Sequence, residues 1–277
     1  MTTRCAVVGH PIEHSLSPVI HRTAFGLLGL QWSYEAFDLE PESFDVFVAS
    51  RDDTWRGLSI TMPLKEPALR WGDPSGDVTL TGAANTLVWH DDGRRTLHNT
   101  DVNGLADALS AHGVHGVREA VLIGSGATTR SSLVALVRGG VRRVHVMGRT
   151  PQRVAETVAW ASGIGLDASP LTWGEPLPDA AELLLSTVPS VGVDALLDAG
   201  LTLDGLRAVF DVIYDPWPTR LAAAASEAGI EVLSGLDLLV HQAVGQVRLF
   251  TGRDVAAPPL MDACLAELRA RASGVGH

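Results

Sequence analysis

The sequence predicts an α/β protein of two domains, built on largely parallel sheets, and three observations carry that reading. Short apolar runs alternate with helix-period segments from end to end, the pattern left by strand–helix units. The alternation restarts after the loop His112-Gly113-Val114-His115-Gly116, which marks a junction. The chain has 277 residues, 46% hydrophobic and 19% charged. That is enough apolar material for two cores and too much for a disordered chain.

The elements follow in order. Residues 5–9 and 32–37 read as strands, with an apolar helix over 18–28 between them. A third strand covers 56–60, and a helix is expected from about 65. Residues 86–89 and 96–99 form an antiparallel pair turned by Asp91-Asp92-Gly93, a strong hairpin signal. A helix then runs over about 103–111. Past the junction, Ala120-Val121-Leu122-Ile123-Gly124 is a buried strand, 128–138 a helix and 143–147 a strand. Strands at 183–187, 208–212 and 231–233 continue the series. Helices over 236–250 and 259–271 have no strand left to pair, so they are expected to return to the first domain. The expected division is residues 1–112 together with 236–277, and residues 113–235.

Composition narrows the function. A net charge of −11 leaves no basic face for nucleic acid. Charges or glycines interrupt every apolar run before the roughly 18 residues that a membrane helix needs. The start, Met1-Thr2-Thr3-Arg4-Cys5-Ala6-Val7-Val8-Gly9, passes straight into a strand and lacks the pattern of a signal peptide. Cys5 and Cys264 have no metal-ligand spacing and read as buried thiols of a reducing compartment. A cytoplasmic protein without a metal, nucleic-acid or membrane partner is expected, as a monomer or homodimer.

Lys65 is the one lysine among 21 basic residues. An ammonium can give up a proton where a guanidinium effectively cannot, and proton transfer at a carbonyl or alcohol needs such a group. The plain alternative is a surface cation after Pro63. Other polar residues gather at element ends. Ser17 and Pro18 read as ordinary helix capping, which leaves Ser15 unexplained. Asn85 follows Gly82-Ala83-Ala84, and Asp101 sits where a strand becomes a helix, as an N-cap or as a functional carboxylate.

Gly124-Ser125-Gly126-Ala127-Thr128-Thr129-Arg130 joins a buried strand to a helix. In that context a glycine turn lets the backbone approach a pyrophosphate, held at the helix N-terminus. A full G-x-G-x-x-G/A would have a small residue at Thr129, so the match is partial. An NAD site carries Asp or Glu about 20 residues on, for the ribose 2′-OH. Here the end of the second strand is Gly148-Arg149-Thr150-Pro151-Gln152-Arg153. Two arginines and a threonine hydroxyl with no carboxylate suit a 2′-phosphate, so the expected cofactor is NADP.

Taken together these segments resemble the shikimate dehydrogenase family. The matching stretches are Ser15-Leu16-Ser17-Pro18, Thr61-Met62-Pro63-Leu64-Lys65, Gly82-Ala83-Ala84-Asn85-Thr86, Asn99-Thr100-Asp101 with Gly104, and Gly148-Arg149-Thr150. Tyr214-Asp215-Pro216 with Thr219, and the run from Gly235 to Gln242, complete the series. The resemblance implies an N-terminal α/β substrate domain and a Rossmann-like NADP-binding domain flanking a cleft, with reversible reduction of 3-dehydroshikimate to shikimate. It implies Lys65 and Asp101 as the catalytic pair. Ser15, Ser17, Thr61, Asn85 and Gln242 would hold the substrate, with Tyr214 nearby. Gly124, Ser125, Gly126, Ala127, Arg149, Thr150 and Arg153 would hold the cofactor, and Gly235 would lie by the nicotinamide.

The chain departs from the family pattern in places. Ala127 and Thr128 stand where a second glycine pair is usual. Gly148 replaces an asparagine, Ser186-Thr187-Val188-Pro189 replaces an N-A-T-P type segment, and Ser59 replaces an asparagine of the substrate pocket. Three rival readings remain at this level: a quinate/shikimate dehydrogenase using NAD, an aminoshikimate-type paralogue, and a non-catalytic relative that senses the ligand.

Overall fold

The computed structural model describes residues 2–273, which fall into two compact units. The first comprises residues up to Gly104 together with Leu239 onward, and the second is Leu105–Leu238. The division falls within two helices, where the expectation placed it at the 113–116 loop. The cause is that the helix following Asp101 starts in the polar centre of the first unit, whereas Leu109 near its far end is buried in the second.

The first unit contains β1 (Arg4–Gly9), α1 (Ser17–Leu27), β2 (Ser33–Asp38), α2 (Pro41–Ala49) and β3 (Trp55–Ile60). A 3-10 turn (Pro67–Trp71), β4 (Asp73–Pro74), α3 (Gly76–Thr81), β5 (Thr86–Trp89) and β6 (Arg95–His98) follow, and then α4 (Asp101–Ala111). The helix expected from residue 65 is therefore only the short 3-10 turn. The segment is cut short because Gly72 is extended (φ −175°, ψ 174°) and β4 begins at Asp73.

The sheet order is β2-β1-β3-β5-β6-β4. It is mixed: β1 pairs in parallel with β2 and β3, while β5 runs antiparallel to both β3 and β6. Both faces are covered. Along β1, Ala6 and Val8 join a core with Phe44, Trp55, Leu58 and Leu87, whereas Cys5 and Val7 join Phe25, Tyr34 and Phe250. This alternation is the period-two geometry of a strand buried on both sides.

The second unit contains β7 (Glu119–Ile123), α5 (Ala127–Arg138), β8 (Arg143–Met147), α6 (Pro151–Gly163) and β9 (Asp167–Leu171). It continues through β10 (Leu183–Ser186), α7 (Ser190–Asp198), β11 (Ala208–Asp211), α8 (Arg220–Glu227) and β12 (Glu231–Ser234). The order β12-β11-β10-β7-β8-β9, parallel throughout, is that of a doubly wound dinucleotide-binding sheet. Its topological switch point lies between β7 and β10, where such sheets bind ligands at the carboxyl ends of their strands.

Two helices complete the chain, α9 (Gly235–Thr251) and α10 (Ala257–Ala272). α10 packs on α1. α9 approaches the first sheet so closely that a Cβ on Gly57 would strike the Phe250 ring. Its approach to α4 is equally tight, since a Cβ on Gly104 would stand 2.7 Å from the Gln242 backbone nitrogen. Among the described residues no helix is long and apolar enough to cross a membrane.

Two opposing effects meet at Gly104. Alanine gains about 1 kcal/mol over glycine in a helix interior, but overpacking against rigid backbone costs about 1–3 kcal/mol. We expect Gly104→Ala to lower the urea midpoint. Gly76→Ala, whose Cβ would meet nothing within 4 Å, should leave it unchanged or raise it. Equal midpoints for the two variants would contradict the close approach of α4 and α9.

Candidate active site

In the first unit the polar residues converge on one carboxylate. The Lys65 Nζ donates to Asp101 Oδ2 at 2.6 Å, with the two side chains 16% and 8% exposed. The other oxygen, Oδ1, accepts from Asn85 Nδ2 at 2.8 Å. Asp101 is thus not spending its carboxylate on the helix start. Its own N–H is capped by Asn99 Oδ1 at 3.2 Å, and that of Thr100 by Asn85 Oδ1 at 2.9 Å. Lys65 is fixed from behind, because its carbonyl accepts the Ala84 N–H at 2.9 Å. The Gly82-Ala83-Ala84 segment therefore sets the depth of the lysine as well as the position of Asn85.

Gln242 joins this group from α9. Its Oε1 accepts from Asn85 Nδ2 at 3.2 Å and from Thr100 Oγ1 at 3.1 Å. Its Nε2 is held by the Leu239 carbonyl at 2.8 Å. Gly104 and Gly245, the latter close to Thr100, allow the two helices to meet at this distance.

The serines differ from their expected roles. The N-cap of α1 is Leu16, and Ser17 is the first helical residue with no capping bond of its own. The Ser15 hydroxyl, which capping seemed not to explain, accepts the Ser17 N–H at 3.3 Å. Ser17 is buried, and its carbonyl accepts from His21 Nδ1 at 2.9 Å. Thr61 is half-buried on the same loop as Lys65, with its N–H bonded to the Val8 carbonyl at 2.9 Å.

An ion pair this far from water seldom adds stability, since desolvation cancels most of the attraction and an apolar pair does as well or better. Its presence here therefore points to chemistry. An ammonium has three N–H bonds; Asp101 takes one and orients the rest.

In the second unit the glycine turn lies at the switch point. Gly124 has φ +129°, and a Cβ there would strike the Thr187 hydroxyl. Thr129, where the dinucleotide pattern wants a small residue, is fully buried and serves as a polar tie. Its hydroxyl accepts from Gly126 N–H at 3.2 Å and pairs with Thr187 Oγ1 at 2.8 Å, and Thr187 in turn donates to the Ile123 carbonyl at 3.1 Å. The departures at Thr129 and Thr187 are therefore one linked change, joining the ends of β7 and β10. Beyond Gly126 lies open space, with no heavy atom within 4 Å of a built Cβ. Ser125 and Ala127 are half-buried beside it, and the first turn of α5 carries no acidic residue. A pyrophosphate fits that setting. Past β8, Arg149, Thr150 and Arg153 are exposed and Thr150 is the N-cap of α6. This donor set, free of carboxylate, fits a 2′-phosphate.

Tyr214 lies half-buried in the segment after β11. Buried Asp211 anchors that segment, accepting from Thr219 Oγ1 at 2.8 Å and from the Ile213 N–H at 3.3 Å. Burial raises its carboxyl above the ordinary range. Gly235 donates its N–H to the Ile213 carbonyl at 3.1 Å, and a Cβ there would strike the Val212 carbonyl oxygen. Only glycine fits so close an approach.

A doubly wound dinucleotide sheet and a polar centre built round one lysine, in a single chain, define a nicotinamide-dependent dehydrogenase of the two-domain class. Sequence and structural relatives specify the family. The shikimate dehydrogenase substrate binding domain matches residues 7–87. A shikimate dehydrogenase (NADP(+)) of Methylobacterium radiotolerans is 37% identical, across 96% of this chain and 98% of its own. The crystal structure of Mycobacterium tuberculosis shikimate dehydrogenase is 35% identical with a TM-score of 0.86, covering 95% of this chain and 99% of that one. The Thermus thermophilus shikimate 5-dehydrogenase, solved in complex with NADP(H) and shikimate, is 31% identical with a TM-score of 0.80, covering 96% and 99%. The chain belongs to the shikimate dehydrogenase family.

Sequence reasoning passed over Thr100, Tyr34 and Gln246, which complete the hydrogen bonding in the first unit. Gln246 had a signal, a second buried amide one helical turn beyond Gln242 on a helix that is otherwise largely apolar.

His21 reports on the Ser17 end of this region. Its Nδ1 donates to the Ser17 carbonyl at 2.9 Å and its ring stacks on Tyr34 at 4.1 Å. Burial pushes the imidazole down to about 4, against about 6.5 in an unfolded chain. Above about pH 6.5 both states are neutral and its contribution is complete. Below that the unfolded chain binds a proton the folded one refuses, so stability falls as the pH drops from about 6.5 to about 4, by roughly 3 kcal/mol. Urea unfolding across this range should show that slope, and His21→Phe should flatten it. Equal slopes in both proteins would contradict a neutral buried His21.

Proposed function

We propose that this protein is an NADP-dependent shikimate dehydrogenase that reversibly reduces 3-dehydroshikimate to shikimate, with Lys65 and Asp101 as its catalytic pair. The observation that carries the assignment of roles is the buried Lys65–Asp101 contact of 2.6 Å, locked by Asn85 from the other side. When bound, NADPH supplies the hydride. As negative charge develops on the substrate carbonyl oxygen, the Lys65 Nζ donates a proton to it; in the oxidative direction the lysine takes that proton back. Asp101 keeps the ammonium on the reacting oxygen and accepts from the hydroxyl beside it.

The remaining groups bind and orient. Ser15, Ser17, Thr61, Asn85 and Gln242, with Tyr214, hold the carboxylate and hydroxyls of the substrate. Such groups discriminate strongly, because an analogue lacking a hydroxyl leaves its buried partner unpaired. Arg149, Thr150 and Arg153 hold the 2′-phosphate of NADP. The turn from Gly124 to Ala127 holds the pyrophosphate, and Gly235 leaves room for the nicotinamide. The two buried free thiols, both pushed up to about 12 by burial, suit a protein working in the reducing cytoplasm.

The test is the initial rate of absorbance change at 340 nm with shikimate or quinate, each with NADP or NAD. Shikimate with NADP should be the fastest pair. Lys65→Ala, checked for folding by circular dichroism, should lower kcat about a thousandfold, within the range of general acid–base catalysis. A variant that keeps wild-type turnover would sink the assignment of Lys65. Arg149→Ala should raise the KM for NADP by about 10- to 100-fold and leave that for NAD unchanged, as loss of a charge-assisted bond requires. Equal effects on both would remove Arg149 from the 2′-phosphate site.

A further inference from the structure

We infer that Gln246 is a positioning residue for the catalytic pair, closing a one-way chain of hydrogen bonds that runs from Tyr34 to Asp101. The inference rests on the reaction proposed above. Its basis is the register of β3 and β5, which sets Ser59 directly opposite Thr86. Gln246 bridges these two hydroxyls from α9. Its Oε1 accepts from Ser59 Oγ at 2.7 Å, while its Nε2 donates to Thr86 Oγ1 and to the Asn85 carbonyl, each at 3.0 Å. Ser59, Asn85, Thr86 and Gln246 are 4%, 3%, 0% and 1% exposed, so water cannot substitute for any partner.

Proton counting fixes the direction of the chain. Burial raises the Tyr34 phenol well above its ordinary range, so it remains a neutral donor. It gives its one proton to Ser59 Oγ at 2.6 Å. Ser59 must then pass its own proton to an acceptor, and only the amide oxygen of Gln246 can take it. The amide N–H of Gln246 therefore points to Thr86, whose single proton goes to Asn85 Oδ1 at 2.7 Å. With Oδ1 loaded by Thr86 and by the Thr100 N–H, the Asn85 NH2 is turned toward Asp101. A reversed Asn85 amide would press its oxygen against a carboxylate. Gln246, acting through Thr86, thus joins the Thr100 N–H in setting the orientation of Asn85, and through it holds the Asp101 oxygen that Lys65 does not use. In a buried network each such bond is reinforced by the others, and losing one member leaves several groups unpaired.

The experiment uses the full chain. Gln246→Leu should lower kcat about tenfold, leave the KM for NADP unchanged, and move the acid limb of the kcat profile to higher pH, since a carboxylate that loses a donor holds its proton more tightly. Gln246→Glu, which keeps the size and can still accept from Ser59 but has no N–H for Thr86, should act in the same direction; it serves if the leucine variant does not fold. Ser59→Asn added to Gln246→Leu places an amide directly opposite Thr86, within cross-strand reach, and should restore most of the rate and the profile. A wild-type kcat and pH profile in both single variants would overturn the inference. So would a rate loss with an unmoved profile that Ser59→Asn fails to restore, because that marks simple packing. If the wild-type protein does not turn over shikimate, the proposed reaction falls, and positioning is then read from nitrogen-15 NMR. Slow exchange of the Asn85 side-chain amide protons, made fast by Gln246→Leu, supports the role; equal exchange overturns it.

Discussion

Holding a lysine and an aspartate together almost out of water is the constraint on which the rest of the first unit depends. The desolvation penalty for such a pair runs to several kcal/mol per ion, and Coulomb attraction offsets it only if the remaining lone pairs are also satisfied. The surrounding sequence supplies those partners. Asn85 fills the second carboxylate oxygen, Asn99 relieves Asp101 of capping its own helix, and the Lys65 carbonyl is tied to Ala84. Gln242 comes within range of Asn85 and Thr100 because Gly104 and Gly245 allow α9 to lie against α4. Small residues remote from the reacting atoms thus decide whether a polar side chain reaches them.

The second unit answers a different demand, an anion held by backbone. There the constraint is steric: Gly124 must be glycine because of its φ of +129° and because Thr187 occupies the place of a Cβ. Gly126 is under no such pressure from the protein, and the open space beside it belongs to whatever binds there. Thr129 shows that the small residue of the dinucleotide pattern can be exchanged when its replacement finds a buried partner, here the Thr187 hydroxyl at 2.8 Å.

Much of this was legible in the sequence, for identifiable reasons. Strands such as β7 and β10 are apolar runs buried on both faces, and the Asp91-Asp92-Gly93 turn fixes the β5–β6 hairpin. β9 was not legible, because an edge strand carrying Asp167, Ser169 and Pro170 has neither alternation nor an apolar run. The short 3-10 turn at Pro67 was misread because apolar residues follow a proline there as they do at a helix start. Within the site, the lone lysine and the family motifs named most of the polar residues. Ser17 was misassigned as a cap, since the helix begins one residue earlier than the Ser-x-Ser-Pro pattern suggests, with Leu16 at the N-cap and the Ser15 hydroxyl accepting the Ser17 N–H. Hydroxyls brought to a shared partner only through strand register, such as Ser59 and Thr86 at Gln246, leave no local trace.

The chain enters the second unit within α4 and leaves it within α9, so that unit is one uninterrupted stretch while the first is assembled from both sides of it. The order of synthesis then matters. At about 5–20 residues per second, Lys65, Asn85 and Asp101 leave the ribosome on the order of ten seconds before Gln242 and Gln246 do. Over that interval the dinucleotide sheet is made strand by strand, its last strand ending at Ser234 shortly before Gln242, while the polar centre still lacks two of its amides and the helix that covers Phe25 and Tyr34. Translation thus completes the cofactor platform before it supplies the buried charge pair with its last partners.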